Sequence, residues 1–311
     1  MYHLMITDAS FFIFMGWRIV YIEESQYLSL YLDNIKIKKN DSEVTIPLSD
    51  IHSLIIDNYK STLSVNLINK CIENKVNILL CGIDHMPRSI VFPIKGNNQM
   101  PKIIKRQFEW NEDIKSILHS KIVKGKITNQ CQLLEKHKKD YAVINKLYSF
   151  AEEVKNGDPG NREGLSAKMY FRELFGNGFI RFEDDAVNAG LNYGYSILRS
   201  QISKVVLSRG LNPSIGIFHR GAENIFNLSD DIIEVFRPII DDYVYKNLMK
   251  EDILTREHRI NLIKLTTKKM IYNGEKHTFF NVVYLYINNI LDVLDKGIEE
   301  LIIPEFKYYD I

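Results

Sequence analysis

The sequence has few cysteines and no long apolar run, and both features limit the kinds of protein that it can encode. Its 311 residues include three cysteines, an odd number without a CxxC pair, which argues against a disulfide framework and favours a reducing compartment. No apolar run reaches the roughly 20 residues that span a bilayer. The apolar patch at residues 11–14 follows Asp8 and has no Lys or Arg before it, so it is a poor signal peptide. We therefore expect a cytoplasmic protein.

Several familiar catalytic motifs and a strong net charge are also missing. The sequence contains no GxxxxGK[ST] phosphate loop, no HExxH and no GxSxG. These absences argue against nucleotide-driven work, zinc proteolysis and serine esterase chemistry. The net charge is only +1, so any nucleic-acid surface must come from local clusters of Lys and Arg.

The patterns that are present predict an α+β protein with a small N-terminal β-sandwich-like domain and a larger all-α domain. Short β-rich runs separated by turn residues fill the first part of the chain, and helical periodicity dominates after a Gly- and Asn-containing linker near residue 98. We expect a β domain at 15–98 and a helical domain at 99–311. For residues 1–14 two interpretations stay open: a real extension, or a misassigned upstream start. The predicted helices cover 107–139, 140–155, 161–176, 184–209, 229–250, 256–271 and 277–301.

Four residues are predicted to begin or end helices. Ser61, Asn161 and Ser229 are candidate N-caps, and Gly210 is a candidate residue just beyond a C-cap.

A basic stretch lies at the start of the helical part. Residues 102–139 contain ten Lys or Arg against four Asp or Glu. Two interpretations stay open: a solvated helix face, or a surface that follows the phosphates of a nucleic acid.

The candidate chemistry lies in two carboxylates and one imidazole. Glu163 follows a turn-rich run at the start of a predicted helix, where the helix dipole alone would also favour an acidic residue. His219 ends an extended segment and could equally be a buried core histidine. Asp231 and Glu234 are three residues apart on one helix face, with apolar neighbours around Glu234, although a solvated charged stripe is the alternative. Such a set suits Mg²⁺ or Mn²⁺ better than a structural zinc.

These motifs resemble, in order and over nearly the whole chain, the CRISPR-associated protein one family. The segment DPGNREG at 158–164 and the spacing from His219 to Glu234 are similar to those of its type II-A members. The residues that carry the resemblance are MGWR at 15–18, IPLSDI at 46–51, CGIDHMP at 81–87, NREG at 161–164, AGLNYGYSILR at 189–199 and DIIEVFRP at 231–238. Residues 1–14 precede the family's usual start.

The resemblance implies that Glu163, His219 and Glu234 are catalytic metal ligands. Glu234 stands where many members have Asp. Asp231 would support the site, and Asn188, Asn192 and Tyr193 would do so less directly. The cationic side chains expected to contact DNA phosphates are Arg162, Arg199, Arg220, Arg237, Lys102, Lys105 and Arg106.

The resemblance also implies a reaction and a set of partners. The reaction is a metal-dependent transesterification that inserts short DNA duplexes (spacers) into a CRISPR array, with a 3′-hydroxyl attacking a phosphodiester. The partners are DNA, a second copy of the chain bound through the β domains, the small second adaptation protein in a heterohexamer and, in type II-A systems, the effector nuclease and a ring-shaped accessory protein. A non-catalytic nucleic-acid scaffold and a small-phosphoester hydrolase are the rival functions.

Overall fold

The computed structural model describes residues 18–39, 42–93, 97–297 and 300–310. The chain divides into two compact units, Met1–Gly96 and Asn97–Ile311. The first is rich in strands and the second in helices, which confirms the predicted fold class. The predicted extension at residues 1–14 lies outside the described residues. In the part of the chain that the structure describes, no helix is both long and apolar enough to cross a membrane.

The first unit, the β unit, contains two four-stranded sheets and one helix. Its strands are β1 (Arg18–Ile22), β2 (Tyr27–Tyr31), β3 (Asn34–Lys39), β4 (Ser42–Pro47), β5 (Ile51–Ile56), β6 (Thr62–Leu63), β7 (Asn77–Cys81) and β8 (Pro87–Val91), and its helix is α1 (Val65–Glu73). One sheet has the order β1-β5-β7-β8, in which only β8 runs antiparallel to its neighbour, and the other has the order β4-β3-β2-β6.

Apolar side chains from both sheets and from α1 share one core. Leu28 and Ile35 from one sheet join Leu54 from the other, and α1 adds Leu67 and Cys71. All six residues of β5 are buried, as expected for a central parallel strand covered on both faces. Helix α1 begins later than predicted.

The N-cap of α1 is Ser64, not Ser61. The Ser64 hydroxyl accepts a hydrogen bond from the Leu67 backbone N–H. Residues 62–63 pair with β2 as strand β6, so the chain cannot become helical before Ser64.

The second unit, the helical unit, contains nine helices and one hairpin among its described residues. Its helices are α2 (Met100–Phe108), α3 (Glu112–Lys136), α4 (Tyr141–Glu153), α5 (Arg162–Phe175), α6 (Ala186–Ser208), α7 (Asn227–Ile233), α8 (Arg237–Asn247), α9 (Arg256–Leu265) and α10 (Phe279–Lys296), and its strands are β9 (Lys269–Tyr272) and β10 (Glu275–Thr278).

Two predicted helices are wrong in extent. The one at 107–139 breaks before α3, because the Asn111 side chain caps the new helix by accepting from the N–H groups of Asp113 and Ile114. The one at 256–271 ends at Leu265, and a hairpin follows. Its turn residues Asn273 and Gly274 both have positive φ, the Asn-Gly signal of a tight hairpin.

The predicted helix at 229–250 is also divided. It begins at Asn227, so Ser229 is not an N-cap, and its hydroxyl instead shares a buried hydrogen bond of 2.9 Å with Ser203. A turn of 3₁₀ helix at Glu234–Phe236 separates α7 from α8. Pro238 explains this break, because it has no N–H and its ring clashes with the carbonyl four residues earlier in a continuous α-helix.

The caps predicted at Asn161 and Gly210 are confirmed. Asn161 accepts from the Gly164 N–H, and Gly210 follows the C-cap Arg209 with φ +77°.

Helices α3 and α6 run through the centre of the helical unit. Most residues in the middle of α3 are buried, among them Lys126 and Asn129. Gly194 on α6 allows close approach of α8, because a Cβ there would lie 2.4 Å from a methyl carbon of Ile240. The buried polar side chains of α3, such as Lys126 and Asn129, therefore face other protein groups rather than water.

Candidate metal centre

Glu163 is held at a fully capped helix start. The Asp158 carboxylate accepts from the backbone N–H groups of Arg162 and Glu163, both at 2.9 Å. Asn161 accepts from the next N–H, of Gly164, at 3.3 Å. Since neighbouring side chains satisfy these donors, the Glu163 carboxylate is available to the adjacent helix α3.

Glu234 lies in the 3₁₀ turn and is only 5% exposed. Its Oε1 is 2.7 Å from Nη2 of Arg237. The Arg237 guanidinium in turn lies 4.8 Å from the ring centroid of Tyr195. The turn thus places a buried carboxylate beside a cation that an aromatic ring supports.

Lys126 of α3 bridges the two glutamates. Its Nζ is 2.6 Å from Oε1 of Glu163 and 2.5 Å from Oε2 of Glu234. Burial would lower the pKa of Lys126, but the two carboxylates outweigh it and raise that pKa. Burial would raise the pKa of Glu163, but His119 and Lys126 favour the charged form and hold that pKa well below its ordinary value. Lys126 and Glu163 are therefore both charged at neutral pH.

His219 is oriented by Asp231. Its Nδ1 lies 2.6 Å from Asp231 Oδ1, and this hydrogen bond, followed by the opposing effect of burial, gives the imidazole a raised pKa. The same carboxylate accepts from the backbone N–H groups of Ile217 at 2.6 Å, Phe218 at 3.0 Å and His219 at 3.0 Å. In the neutral ring, Nδ1 keeps the proton for Asp231, and the lone pair of Nε2 stays available to a ligand.

The structure brings the three predicted ligands to one cavity. The cavity measures about 10 Å³, the size of one water molecule, and is lined by His119, Ile122, Val123, Glu163, Ile217, His219, Asp231 and Glu234. Their role as catalytic metal ligands stays a prediction.

Two residues beside the predicted ligands were not predicted to belong to the site: His119, and Lys126, which was noted only as part of the basic stretch. The His119 ring stacks on Phe218 at 3.6 Å between centroids, and its Nε2 lies 3.8 Å from Glu163 Oε2. The available signal was spacing, because positions 119 and 126 differ by seven and lie on the same face of a helix.

The donor set fits a hard divalent cation, but the present geometry holds an ammonium group. Among the described residues, no group of three or more His, Cys, Asp and Glu is placed to hold a metal ion. Lys126 instead occupies the point where the two carboxylates converge. Two carboxylates that meet on one cation, with an oriented imidazole on the same cavity, are ligands suited to Mg²⁺ or Mn²⁺.

Of the predicted supporting residues, Asp231 lines the cavity, whereas the other three lie elsewhere in the helical unit. Asn188 and Asn192 both accept from Arg181, at 2.9 and 2.7 Å, and Tyr193 is fully buried. None of these three residues is among those that line the cavity.

Most of the residues predicted to contact DNA form ion pairs with acidic side chains. The ion pairs are Arg162 with Glu153, Arg199 with Asp230, Arg220 with Glu112, Arg237 with Glu234 and Arg106 with Asp295. Lys102 and Lys105 are exposed on α2.

Comparison with known proteins assigns this chain to a family. The model of the family described as CRISPR associated protein Cas1 matches residues 19–273. The CRISPR-associated endonuclease Cas1 of Neisseria meningitidis serogroup C (strain 8013) is 32% identical over 94% of this chain and 97% of its own length. The chain therefore belongs to the Cas1 family.

Two solved structures share the fold at lower identity. A casposase bound to integration product matches with a TM-score of 0.73 and 19% identity, covering 94% of both chains. A Cas6-RT-Cas1–Cas2 complex matches with a TM-score of 0.75 and 18% identity over 96% of this chain and 37% of the other.

Proposed function

We propose that this protein is a metal-dependent DNA endonuclease and integrase of CRISPR adaptation. It would insert short duplex DNA into the CRISPR array. The observation that carries the proposal is the convergence of Glu163 and Glu234 on one cation beside the oriented imidazole of His219. The endonuclease name of the Neisseria relative supports the reaction class.

In the proposed reaction, a 3′-hydroxyl attacks a phosphodiester, so that one P–O bond forms as another breaks. The hydroxyl proton is lost, and the leaving oxygen takes up a proton. Glu163, His219 and Glu234 would hold Mg²⁺ or Mn²⁺, which when bound supplies positive charge for the phosphoryl oxygens and the leaving oxygen.

The chain's own residues prepare this site before substrate arrives. Asp231 fixes the His219 ring and the backbone around it. Asp158 and Asn161 fix the helix start that carries Glu163. Such preorganisation means that the donors need little rearrangement during the reaction.

The exposed Lys102 and Lys105 would contact phosphates directly, together with Arg106, Arg162, Arg199, Arg220 and Arg237. Arg106, Arg162, Arg199 and Arg220 would exchange their present carboxylate partners for phosphate, whereas Arg237 would keep its pair with Glu234. Such contacts position DNA without reading its sequence.

The proposal includes protein partners. These are a second copy of the chain bound through the β unit, and the small second adaptation protein, Cas2, in a heterohexamer. The fold shared with the Cas6-RT-Cas1–Cas2 complex supports Cas2 as a partner. The effector nuclease and the ring-shaped accessory protein of type II-A systems are further proposed partners.

Strand transfer on a half-integrated DNA, with Mn²⁺ or with EDTA, tests the proposal. Glu163→Ala, His219→Ala and Glu234→Ala should each abolish product while DNA binding stays nearly unchanged. Glu257→Gln, on an exposed position of α9, is the control and should retain activity. Product that persists in EDTA, or in all three alanine variants, would contradict the proposal. Phosphatase activity indifferent to DNA shape would instead indicate a small-phosphoester hydrolase.

A further inference from the structure

We propose that Lys126 is an internal counter-cation, which holds the carboxylate pair in the metal-free protein and must leave it when a divalent ion binds. Lys126 would thereby set the metal affinity of the site. This inference rests on the metal site of the proposed function, and it adds a residue whose effect on the ion is competitive.

Every oxygen of the two carboxylates already faces a nitrogen. Lys126 Nζ contacts Glu163 Oε1 at 2.6 Å and Glu234 Oε2 at 2.5 Å. The second oxygen of Glu234 lies 2.7 Å from Arg237, and the second oxygen of Glu163 lies 3.8 Å from His119 Nε2. A divalent ion that takes one oxygen from each carboxylate must therefore displace a nitrogen.

An ion and the ammonium group cannot share this position. Mg²⁺ binds oxygen at about 2.0–2.1 Å, so an ion bound to both Glu163 Oε1 and Glu234 Oε2 would compete with Lys126 Nζ for the space between them. Two cations that close together repel strongly in a buried site, where water screens them little.

Lys126 is better suited to leave than Arg237. The lysine has a flexible stem and a compact ammonium group, whereas the guanidinium is planar and packs on the ring of Tyr195 at 4.8 Å. Lys126 is also the cation that contacts both carboxylates, so its departure opens the whole pair.

The test compares Mn²⁺ binding to the full-length wild type, Lys126→Met and Lys124→Met by isothermal titration calorimetry. Lys126→Met removes the competing charge and keeps a similar shape, so Mn²⁺ affinity should rise by about tenfold or more, the scale on which groups around a metal site act. Lys124 is two residues away and pairs with Glu152 on the surface, so Lys124→Met should bind Mn²⁺ like the wild type.

Thermal unfolding gives a readout independent of catalysis. Without metal, Lys126→Met should melt several degrees below the wild type, because two buried carboxylates lose their shared partner. Mn²⁺ should raise its melting temperature by more than it raises that of the wild type. If Lys126→Met does not fold without metal, Lys126→Gln provides a second neutral side chain, and refolding on addition of Mn²⁺ supports the proposal.

Three results would overturn the proposal that Lys126 competes with the ion. Equal or weaker Mn²⁺ binding by a folded Lys126→Met would show that Lys126 does not compete, while leaving the metal site intact. Neutral variants that fold neither with nor without Mn²⁺ would show that the ion cannot replace the lysine. A wild type and variants that bind no Mn²⁺ at all would contradict the metal site and this inference together.

Discussion

The two units bury different kinds of side chain. Among the described residues of the β unit, Asp57 is the one buried member of Asp, Glu, Lys and Arg, and it pairs with Tyr21 and His85. In the described part of the helical unit, the buried charged residues are Lys126, Asp230, Asp231, Glu234, Asp241 and Arg259. Apolar patterning specifies the first unit, whereas the second also depends on buried charges that must be matched to one another.

The largest expected effect on stability tests that dependence directly. Asp231→Ala leaves three backbone N–H groups and His219 without their acceptor, so the helical unit should lose about 3–5 kcal/mol of unfolding free energy. Urea titration followed by the fluorescence of Trp110, in a Trp17→Phe background, measures it. Asp231→Asn keeps one acceptor oxygen and should lose less. A loss below about 1 kcal/mol for Asp231→Ala would remove the contrast between the units.

A core substitution in the β unit tests the other side of the comparison. Leu54 is fully buried in β5, so Leu54→Ala should cost about 2–5 kcal/mol through lost burial and a cavity. Hydrogen exchange should accelerate at the amides of β5 but not at those of α3. Ile83→Ala, at a position 76% exposed, is the control and should change stability by less than about 0.5 kcal/mol. Equal acceleration in α3 would show that the two units unfold together.

A third prediction concerns how the stability of the helical unit depends on pH through one buried carboxyl group. Burial raises the pKa of Asp241 to about 6, although Tyr195 and Tyr170 donate hydrogen bonds to its carboxylate. Between the ordinary pKa of 3.8 and about 6, the folded protein keeps a proton that the unfolded chain has lost. Stability should therefore fall as pH rises through this window, by at most about 3 kcal/mol from this group.

In Asp241→Asn, the unfolding free energy should not show the part of this fall with rising pH that comes from Asp241. Urea titrations of the wild type and the variant at intervals from pH 4 to pH 7 measure the difference. Identical slopes would mean that Asp241 is charged throughout the window.

The smallest effect concerns the helix start that carries Glu163. Asn161 has φ +47° and caps α5, so Asn161→Ala should lose the cap and strain the backbone, at about 1–2 kcal/mol. Asn161→Gly relieves the strain and should cost less. Melting temperatures of the two variants measure the difference, and an alanine variant as stable as the glycine variant would contradict this account.

The β unit could be predicted more fully than the helical unit, for a physical reason. Strands such as β1 and β2 reveal themselves through short local apolar patterns bounded by turn residues. The centre of α3 is different, because polar residues such as Lys126 and Asn129 are buried there by partners that are distant in the sequence. Periodicity shows the helix but does not show which of its polar residues face inward.

The same limit applies to the candidate site. The sequence identified Glu163, His219 and Glu234 through their motifs, and the structure places all three around one cavity. The spacing of His119 and Lys126 places both on one face of a helix, but the sequence could not show that Lys126 lies between the two glutamates. An ion pair across 37 residues leaves no local signature. Nor could the sequence show that the Asp231 carboxylate accepts hydrogen bonds from three successive backbone N–H groups, since these bonds depend on the path of an irregular loop.

The amides buried on α3 have a consequence for synthesis on the ribosome. Asn129 donates to the carbonyl of Pro304 and accepts from the N–H of Phe306, and Gln132 accepts from the N–H of Lys307. These partners are translated more than 170 residues after Asn129 and Gln132. Until residues 304–307 are available to the nascent chain, the amides of Asn129 and Gln132 lack these partners, and water or other polar groups must satisfy them.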